Sequence, residues 1–252
     1  MMSIDEMREH EWYVSWSGGK DSTATIIKMH EHKIPIKEII YVRMMYDDTL
    51  PATLPVMNDF ADGAKKVFES WGYPVTILKS NKTAVDLINR VYKRSQKHPE
   101  RNGHKYGVTA MMRGMCTFTN CKSKTLDSFI PKNAYHMRGY AADETKRLHR
   151  LGNFHESILV TLGITENECF DICKQYNLLS PWYDLELNRD GCWFCPSADK
   201  RKREYLRENY PDLIEKINEM IEMCNYDLTP VIKSSRNIWV KEYFERNEKK
   251  ND

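Results

Sequence analysis

Six consecutive residues near the start of the chain, Ser17-Gly18-Gly19-Lys20-Asp21-Ser22, bring together the groups that hold a phosphate chain. Two adjacent glycines let the backbone turn tightly and approach a ligand closely. The N–H groups of such a loop, with those of a helix that follows it, point outward together and favour an anion. Ser17, Ser22 and Thr23 add hydroxyls, Lys20 adds a positive charge, and Asp21 can hold a Mg²⁺ ion lying on the phosphates. The spacing is neither that of the Gly-x-x-x-x-Gly-Lys-Ser/Thr loop nor that of the Gly-x-Gly-x-x-Gly dinucleotide fingerprint. A plain strand-to-helix turn also uses Gly-Gly and an Asp cap, but the whole string favours a ligand.

The cysteines are the second chemical signal. Cys192-x-x-Cys195 is a tight ligand pair, and Cys116-x-x-x-x-Cys121 is a looser one upstream. Together they supply four thiolates, enough for a tetrahedral Zn²⁺ or an iron–sulfur cluster. The competing reading is four reduced cysteines packed as small hydrophobes. Cys169 and Cys173 lie four apart on an amphipathic helix beside Phe170 and Ile172 and read as core. Two basic stretches, 90–105 and 200–203, could grip an RNA or DNA backbone, although a solvated face is the commoner use of such a run.

The elements that must position these groups are legible. Trp12 to Trp16 reads as a strand leading into the glycine loop, and Asp21 to His32 as the helix leaving it. The continuous apolar run Ile39-Ile40-Tyr41-Val42 is typical of a buried parallel strand. Pro55 to Trp71 has helical spacing, Gly72 follows it, and Pro74 to Leu78 is a third strand. This β-α-β-α-β order predicts a parallel sheet with helices on both faces. Residues 90–105 read as a helix end running into an exposed loop, broken by Pro99 and Gly103, and Tyr135 to Tyr140 returns as a strand. Thr165 with Glu168 forms a capping box opening a helix to Tyr176, and Pro211 to Met223 is another helix. The highly charged last dozen residues are expected to fray.

Composition excludes several classes. With 252 residues, 41% hydrophobic and 29% charged, the chain is neither disordered, collagen-like nor a coiled coil. Lys plus Arg count 38 against 36 Asp plus Glu, so there is no global basic field to draw nucleic acid. No apolar run approaches the ~18 residues of a membrane span. The segment from Met1 to Glu11 has no signal-peptide core, so a cytoplasmic location is expected. Seven cysteines there suggest metal or redox chemistry before disulfides.

The loop Ser17 to Ser22 resembles the signature of the PP-loop ATP pyrophosphatases of the adenine-nucleotide α-hydrolase-like superfamily. Four further stretches resemble its phosphoadenosine phosphosulfate reductase-like branch, in the branch's order. They are Asp47-Asp48-Thr49-Leu50-Pro51, Arg113-Gly114-Met115-Cys116-Thr117, Gly139 to Arg147, and Asn188 to Pro196. The likeness extends to about Met223. Two departures stand out. Ala141 replaces the branch's usual Arg, which leaves one anion contact missing or supplied by Arg138. No cysteine follows Cys224, whereas sulfonucleotide reductases carry a C-terminal nucleophilic one, and their loop is commonly degenerate while this one is complete.

The resemblance implies an α/β three-layer sandwich with a mostly parallel sheet of about five strands, residues 1–187 forming the nucleotide domain. Residues 188–252 are expected to form a small helical appendage with the second cysteine pair. It implies cleavage of ATP between its α and β phosphates and adenylation of an acceptor for sulfur transfer or for nucleic-acid or nucleotide modification. The phosphates would lie on Ser17, Gly18, Gly19, Asp21 and Ser22, with adenine against the second strand near Tyr41 to Arg43. Lys20 and Arg147 would neutralise charge as pyrophosphate leaves. Cys116, Cys121, Cys192 and Cys195 would carry a [4Fe–4S] cluster, or Zn²⁺ as the alternative, since some reductases of the branch hold a cluster by two cysteine pairs. The expected partners are a small-molecule nucleotide and a tRNA or DNA acceptor bound through the basic stretches; a homodimer is admitted as the assembly. Sulfonucleotide reduction and a non-catalytic nucleotide-binding component of a larger complex are the alternatives.

Overall fold

The computed structural model describes residues 2–112, 116–185, 187, 191–233 and 237–248. In chain order the elements are α1 (Ile4–Arg8), β1 (Trp12–Trp16), α2 (Lys20–Glu31), β2 (Ile36–Arg43), α3 (Pro55–Ser70) and β3 (Val75–Lys79). Next come α4 (Ala84–Ile88), α5 (Phe118–Phe129), β4 (His136–Met137), β5 (His155–Glu156), α6 (Ile158–Thr161) and α7 (Glu166–Gln175). The last four are α8 (Lys200–Asn209), α9 (Pro211–Glu222), α10 (Thr229–Lys233) and α11 (Ile238–Glu248). Two units divide the chain. Unit 1 holds Met1–Arg43, Pro55–Lys79 and Ser123–Leu185; unit 2 holds Met44–Leu54, Ser80–Lys122 and Glu186–Asp252.

Unit 1 is an α/β fold built on a five-stranded sheet, in the order β3-β2-β1-β4-β5, with every neighbouring pair parallel. Helices flank it. The alternation in β1 buries Trp12, Val14 and Trp16, while Ile39, Ile40, Tyr41 and Val42 of β2 are all buried, as their unbroken apolar run requires. The core gathers Trp12, Val14 and Trp16 with Ile26 and Ile27 of α2, Phe68 of α3, and Cys169 and Cys173 of α7. Truncating a side chain such as the fully buried Phe68 to Ala would cost about 3–5 kcal/mol. The expected strand at Tyr135–Tyr140 shrinks to the two residues of β4, because pairing on both sides stops after Met137. The sheet order reverses direction between β1 and β4. That switch point, outside the carboxyl ends of the strands, is where a parallel α/β sheet opens a crevice for ligands.

The local signals hold. Gly72 stops α3 with φ +90°, a conformation only glycine adopts without strain. Thr165 and Glu168 form the reciprocal capping box at the start of α7.

Unit 2 joins the chain beyond Glu186 to two earlier stretches. The Trp193 N–H donates to the Ala52 carbonyl at 2.9 Å and its indole to the Pro51 carbonyl at 3.1 Å. Tyr46, Trp193 and Phe194 pack their rings together, and α9 buries Leu213, Ile217, Met220 and Ile221. Residues 90–105 are more ordered than a simple exposed loop. Val91 bridges Lys105, Tyr92 stacks on Tyr106 at 3.9 Å, and Arg101 is buried beside the Tyr226 ring. The Tyr106 carbonyl accepts from the Thr109, Tyr226 and Cys224 side chains. The charged C-terminal stretch does not fray through Glu248: Glu242 of α11 accepts from Arg203 at 2.9 Å and also pairs with Arg207.

Candidate functional site

The glycine loop leaves the carboxyl end of β1, beside the switch point. Gly18 has φ +83°, and Gly19 sits in extended conformation as the N-cap of α2 without a side-chain cap bond. The first N–H groups of α2 have no helical partner, so this end attracts an anion. The loop is braced from within. The Ser17 N–H donates to the Ser22 hydroxyl at 3.0 Å, the two hydroxyls meet at 2.9 Å, and Ser22 Oγ also donates to the Gly19 carbonyl at 3.1 Å. The Trp16 indole holds the Thr23 hydroxyl at 2.9 Å, which ties Thr23 to the core instead of exposing it.

Lys20 is turned inward. Its ammonium pairs with Asp21 at 2.7 Å and with Glu166 of α7 at 3.1 Å, and its side chain is only 8% exposed. Burial opposes its charge, but the bonds to Asp21 and Glu166 more than offset that and raise its pKa, so it stays protonated. Burial raises the Asp21 pKa, against the lowering effect of Lys20, and Glu166 and Glu144 push it the same way as burial. The Lys20 backbone N–H donates to the Tyr183 hydroxyl at 3.2 Å. Burial moves that hydroxyl's pKa up to about 12, so Tyr183 is a neutral group at the helix start. The Cys173 thiol donates to the Lys20 carbonyl at 3.3 Å, so the two α7 cysteines, both fully buried, are core residues that floor the loop.

The segment after β4 meets the loop directly. A Cβ at Gly139 would lie 2.7 Å from Ser22 Cα and 2.8 Å from Ser22 N, so glycine is what lets this backbone touch the start of α2. Arg138 beside it is half-buried and forms no ion pair among the described residues, and burial lowers its pKa. It therefore offers an uncommitted charge near the loop. Arg147 is committed in part: it pairs with Glu144 at 2.7 Å and lies over the Tyr140 ring at 4.2 Å. Glu144 in turn accepts from the Ala141 N–H at 3.2 Å. At the β2 end, Tyr41 is buried with its ring 3.8 Å from the Cβ position of Gly18 and 5.2 Å from the Trp16 ring. Arg43 binds Asp62 of α3 at 2.6 Å. Glu166 and Tyr183 escaped the sequence reading. Glu166 carries a weak signal as an acid in the first turn of a capped helix; Tyr183 carries none.

In unit 2 the four candidate metal cysteines are reduced. Among the described residues, no three His, Cys, Asp or Glu side chains form a group able to hold a metal. The expected convergence of Cys116, Cys121, Cys192 and Cys195 into one centre is therefore not seen there. Burial raises the Cys116 pKa, and the charge of Cys195 pushes it the same way. Cys192 is linked to Cys195 by the turn bond from the Cys195 N–H to the Cys192 carbonyl at 3.1 Å. Cys121 is buried on the first turns of α5, its thiol directed at the Thr117 carbonyl 4.0 Å away. Among the described residues the donor set therefore falls short of a closed site. Residues 113–115 and 188–190, including Arg113 and Arg189, lie outside the described residues.

The two basic stretches differ. In 90–105, Arg90, Lys93, Arg94, Lys97 and Lys105 are exposed while Arg101 is buried. In 200–203 half of the charge is used internally: Lys202 is buried and donates to the Gly191 carbonyl at 3.0 Å and Arg203 pairs with Glu242, while the exposed Lys200 pairs loosely with Glu204. Among the described residues no helix is long and apolar enough to cross a membrane.

The site defines a class in structural terms: an all-parallel α/β sheet with a braced glycine–hydroxyl loop at its switch point. No protein-family model matches the chain, and no curated protein sequence matches it. Among solved structures it is similar to the U34-tRNA thiolase NcsA from Methanococcus maripaludis with its [4Fe-4S] cluster, with a TM-score of 0.45 and 16% sequence identity over 97% of this chain and 77% of that one.

Proposed function

We propose that unit 1 binds ATP at the Ser17–Ser22 loop and adenylates an acceptor, releasing pyrophosphate. The observation that carries this reading is the loop itself: a glycine turn at the β1 end, a helix start whose N-cap Gly19 makes no side-chain cap bond, and two mutually braced serine hydroxyls at the switch point. In the reaction an acceptor oxygen attacks the α-phosphorus, the bond to the bridging oxygen of the β-phosphate breaks, and pyrophosphate leaves with that electron pair. AMP is now the leaving group for a sulfur or nitrogen nucleophile. Arg138 and Arg147 stand on the segment that touches the loop and would offset charge on the departing pyrophosphate. Lys20, held protonated by Asp21 and Glu166, would serve the same charge once ATP and Mg²⁺ compete for Asp21. Tyr41 to Arg43 would flank the adenine.

The acceptor class we favour is nucleic acid, on the five exposed cations of residues 90–105. A metal centre in unit 2 would draw its thiolates from Cys116, Cys121, Cys192 and Cys195. If iron is bound, anaerobically purified protein should contain iron and sulfide, and Cys195→Ser should lose both; metal-free protein would remove the centre from the proposal. Adenylation itself is tested by Asp21→Ala, which should abolish Mg²⁺-dependent pyrophosphate release while the circular dichroism spectrum stays native. Release at the wild-type rate would show the loop assignment to be wrong.

A further inference from the structure

Tyr183 brings a hydroxyl to the start of α2 from a distant part of unit 1. The first helical bond of α2 runs from the Thr23 N–H to the Gly19 carbonyl at 3.1 Å. Three backbone donors precede it, the N–H groups of Lys20, Asp21 and Ser22, and such donors are what a helix start offers to an anion. The Asp21 and Ser22 N–H groups make no hydrogen bond among the described residues. The Lys20 N–H does, since it donates to the Tyr183 hydroxyl at 3.2 Å. The tyrosine oxygen therefore stands at the first of the three donors, beside the two that remain open.

A hydroxyl in that place has two uses. It can leave when a phosphate arrives, or it can stay and bond the phosphate itself. The packing of the ring favours the second. The Tyr183 ring meets Phe170 of α7 edge-on at 4.7 Å and lies 4.1 Å from the Trp182 ring, contacts that it would forfeit by swinging out. Phe170 is itself held at the loop, with the Lys20 ammonium 5.4 Å from its ring centre, and Lys20 is paired to Glu166 on the same helix. A phenol that accepts through its oxygen still has its own proton to give. Among the described residues that proton has no acceptor. Burial keeps it in place, since the hydroxyl's pKa is pushed up to about 12. We infer that Tyr183 is a phosphate-binding residue: its hydroxyl takes the Lys20 N–H and donates to a phosphate oxygen seated on the Asp21 and Ser22 N–H groups. The start of α2 would then hold the phosphate by two direct N–H bonds and a third relayed through the tyrosine, in which the first bond polarises the second. The inference deepens the ATP reading of the loop and rests on it.

Tyr183→Phe in the full chain tests it, because the substitution removes the hydroxyl and keeps the ring. Isothermal titration with Mg²⁺-ATP and with inorganic pyrophosphate should show binding about 10- to 100-fold weaker than in the wild type, the range for one hydrogen bond to a charged group. Adenosine, followed by ligand-observed NMR, carries no phosphate, so its affinity should not change. Unchanged affinity for pyrophosphate would overturn the inference. Tighter binding would also overturn it and make the hydroxyl a plug that phosphate displaces. Equal losses for adenosine and pyrophosphate would overturn it as well and leave Tyr183 as a brace of the loop. The wild-type chain reads the loop separately. If it binds neither ATP nor pyrophosphate, the adenylation reading falls and the inference with it; if it binds both and Tyr183→Phe binds them equally well, the inference alone falls.

Discussion

Gly139→Ala tests the geometry of the site without touching a charged group. The new methyl would stand 2.7 Å from Ser22 Cα, 2.8 Å from Ser22 N and 3.1 Å from the Asp21 carbonyl carbon. Ordinary contact begins near 3.4 Å, so the two backbones must part by about 0.7 Å, the difference between the first distance and that limit. All three obstructing atoms are backbone, so no side-chain rotation can relieve the clash. The displaced element is the start of α2, whose N–H groups and Ser22 hydroxyl belong to the proposed phosphate cradle. A misplacement of ~1 Å costs up to about 100-fold in a positioned reaction, so pyrophosphate release should fall about 10- to 100-fold. Overpacking should cost about 1–3 kcal/mol of stability, which leaves a folded protein. Isothermal titration with ATP should show the same loss at the binding step, and it requires no acceptor. Gly63→Ala is the control: a Cβ there meets nothing within 4 Å, and in the middle of α3 it should add about 0.5–1 kcal/mol with ATP binding unchanged. Wild-type ATP affinity in Gly139→Ala would refute the claim that this backbone contact sets the loop.

Acid should weaken unit 1 through His136. Its ring bonds Ser15 at 2.7 Å, and burial first, then Arg138 and His155, brings its pKa from 6.5 down to about 3. The unfolded chain binds that proton first, so stability is full above about pH 6.5 and falls as the pH drops toward 3. By pH 5 the loss is about 2 kcal/mol. Urea unfolding at pH 7 and pH 5 should show a flatter dependence in His136→Asn, and an identical slope would contradict the assignment. In unit 2, Gly107→Ala should destabilise by about 3 kcal/mol or more, because its φ of +51° is left-handed and the methyl would meet the Cys224 thiol and lie 2.7 Å from the Met220 carbonyl. Thermal unfolding measures it, and a wild-type melting temperature would show that this packing can relax.

What the sequence settled was whatever depends on near neighbours. Trp12–Trp16 was readable as a strand and the unbroken apolar run Ile39–Val42 as a buried parallel one, since a continuous apolar run needs cover on both faces of the sheet. The capping box at Thr165 and Glu168 and the stop at Gly72 were readable because caps are local hydrogen-bonding devices. The glycine–hydroxyl loop was readable because six consecutive residues carry it. What only the tertiary structure decided involves groups far apart in the chain. Lys20 turns inward because Glu166, supplied by α7, stands within 3.1 Å, and Tyr183 caps the same helix start. Gly139 is needed because its backbone meets that of Ser22. Unit 2 is assembled from three separated stretches, tied where Trp193 bonds Pro51 and Ala52. Half of the basic run 200–203 proved to be internal wiring, since Lys202 and Arg203 find partners that spacing cannot reveal. Residue type and periodicity encode which face is buried, but which polar groups meet on that face is fixed by chain crossings that leave no local period.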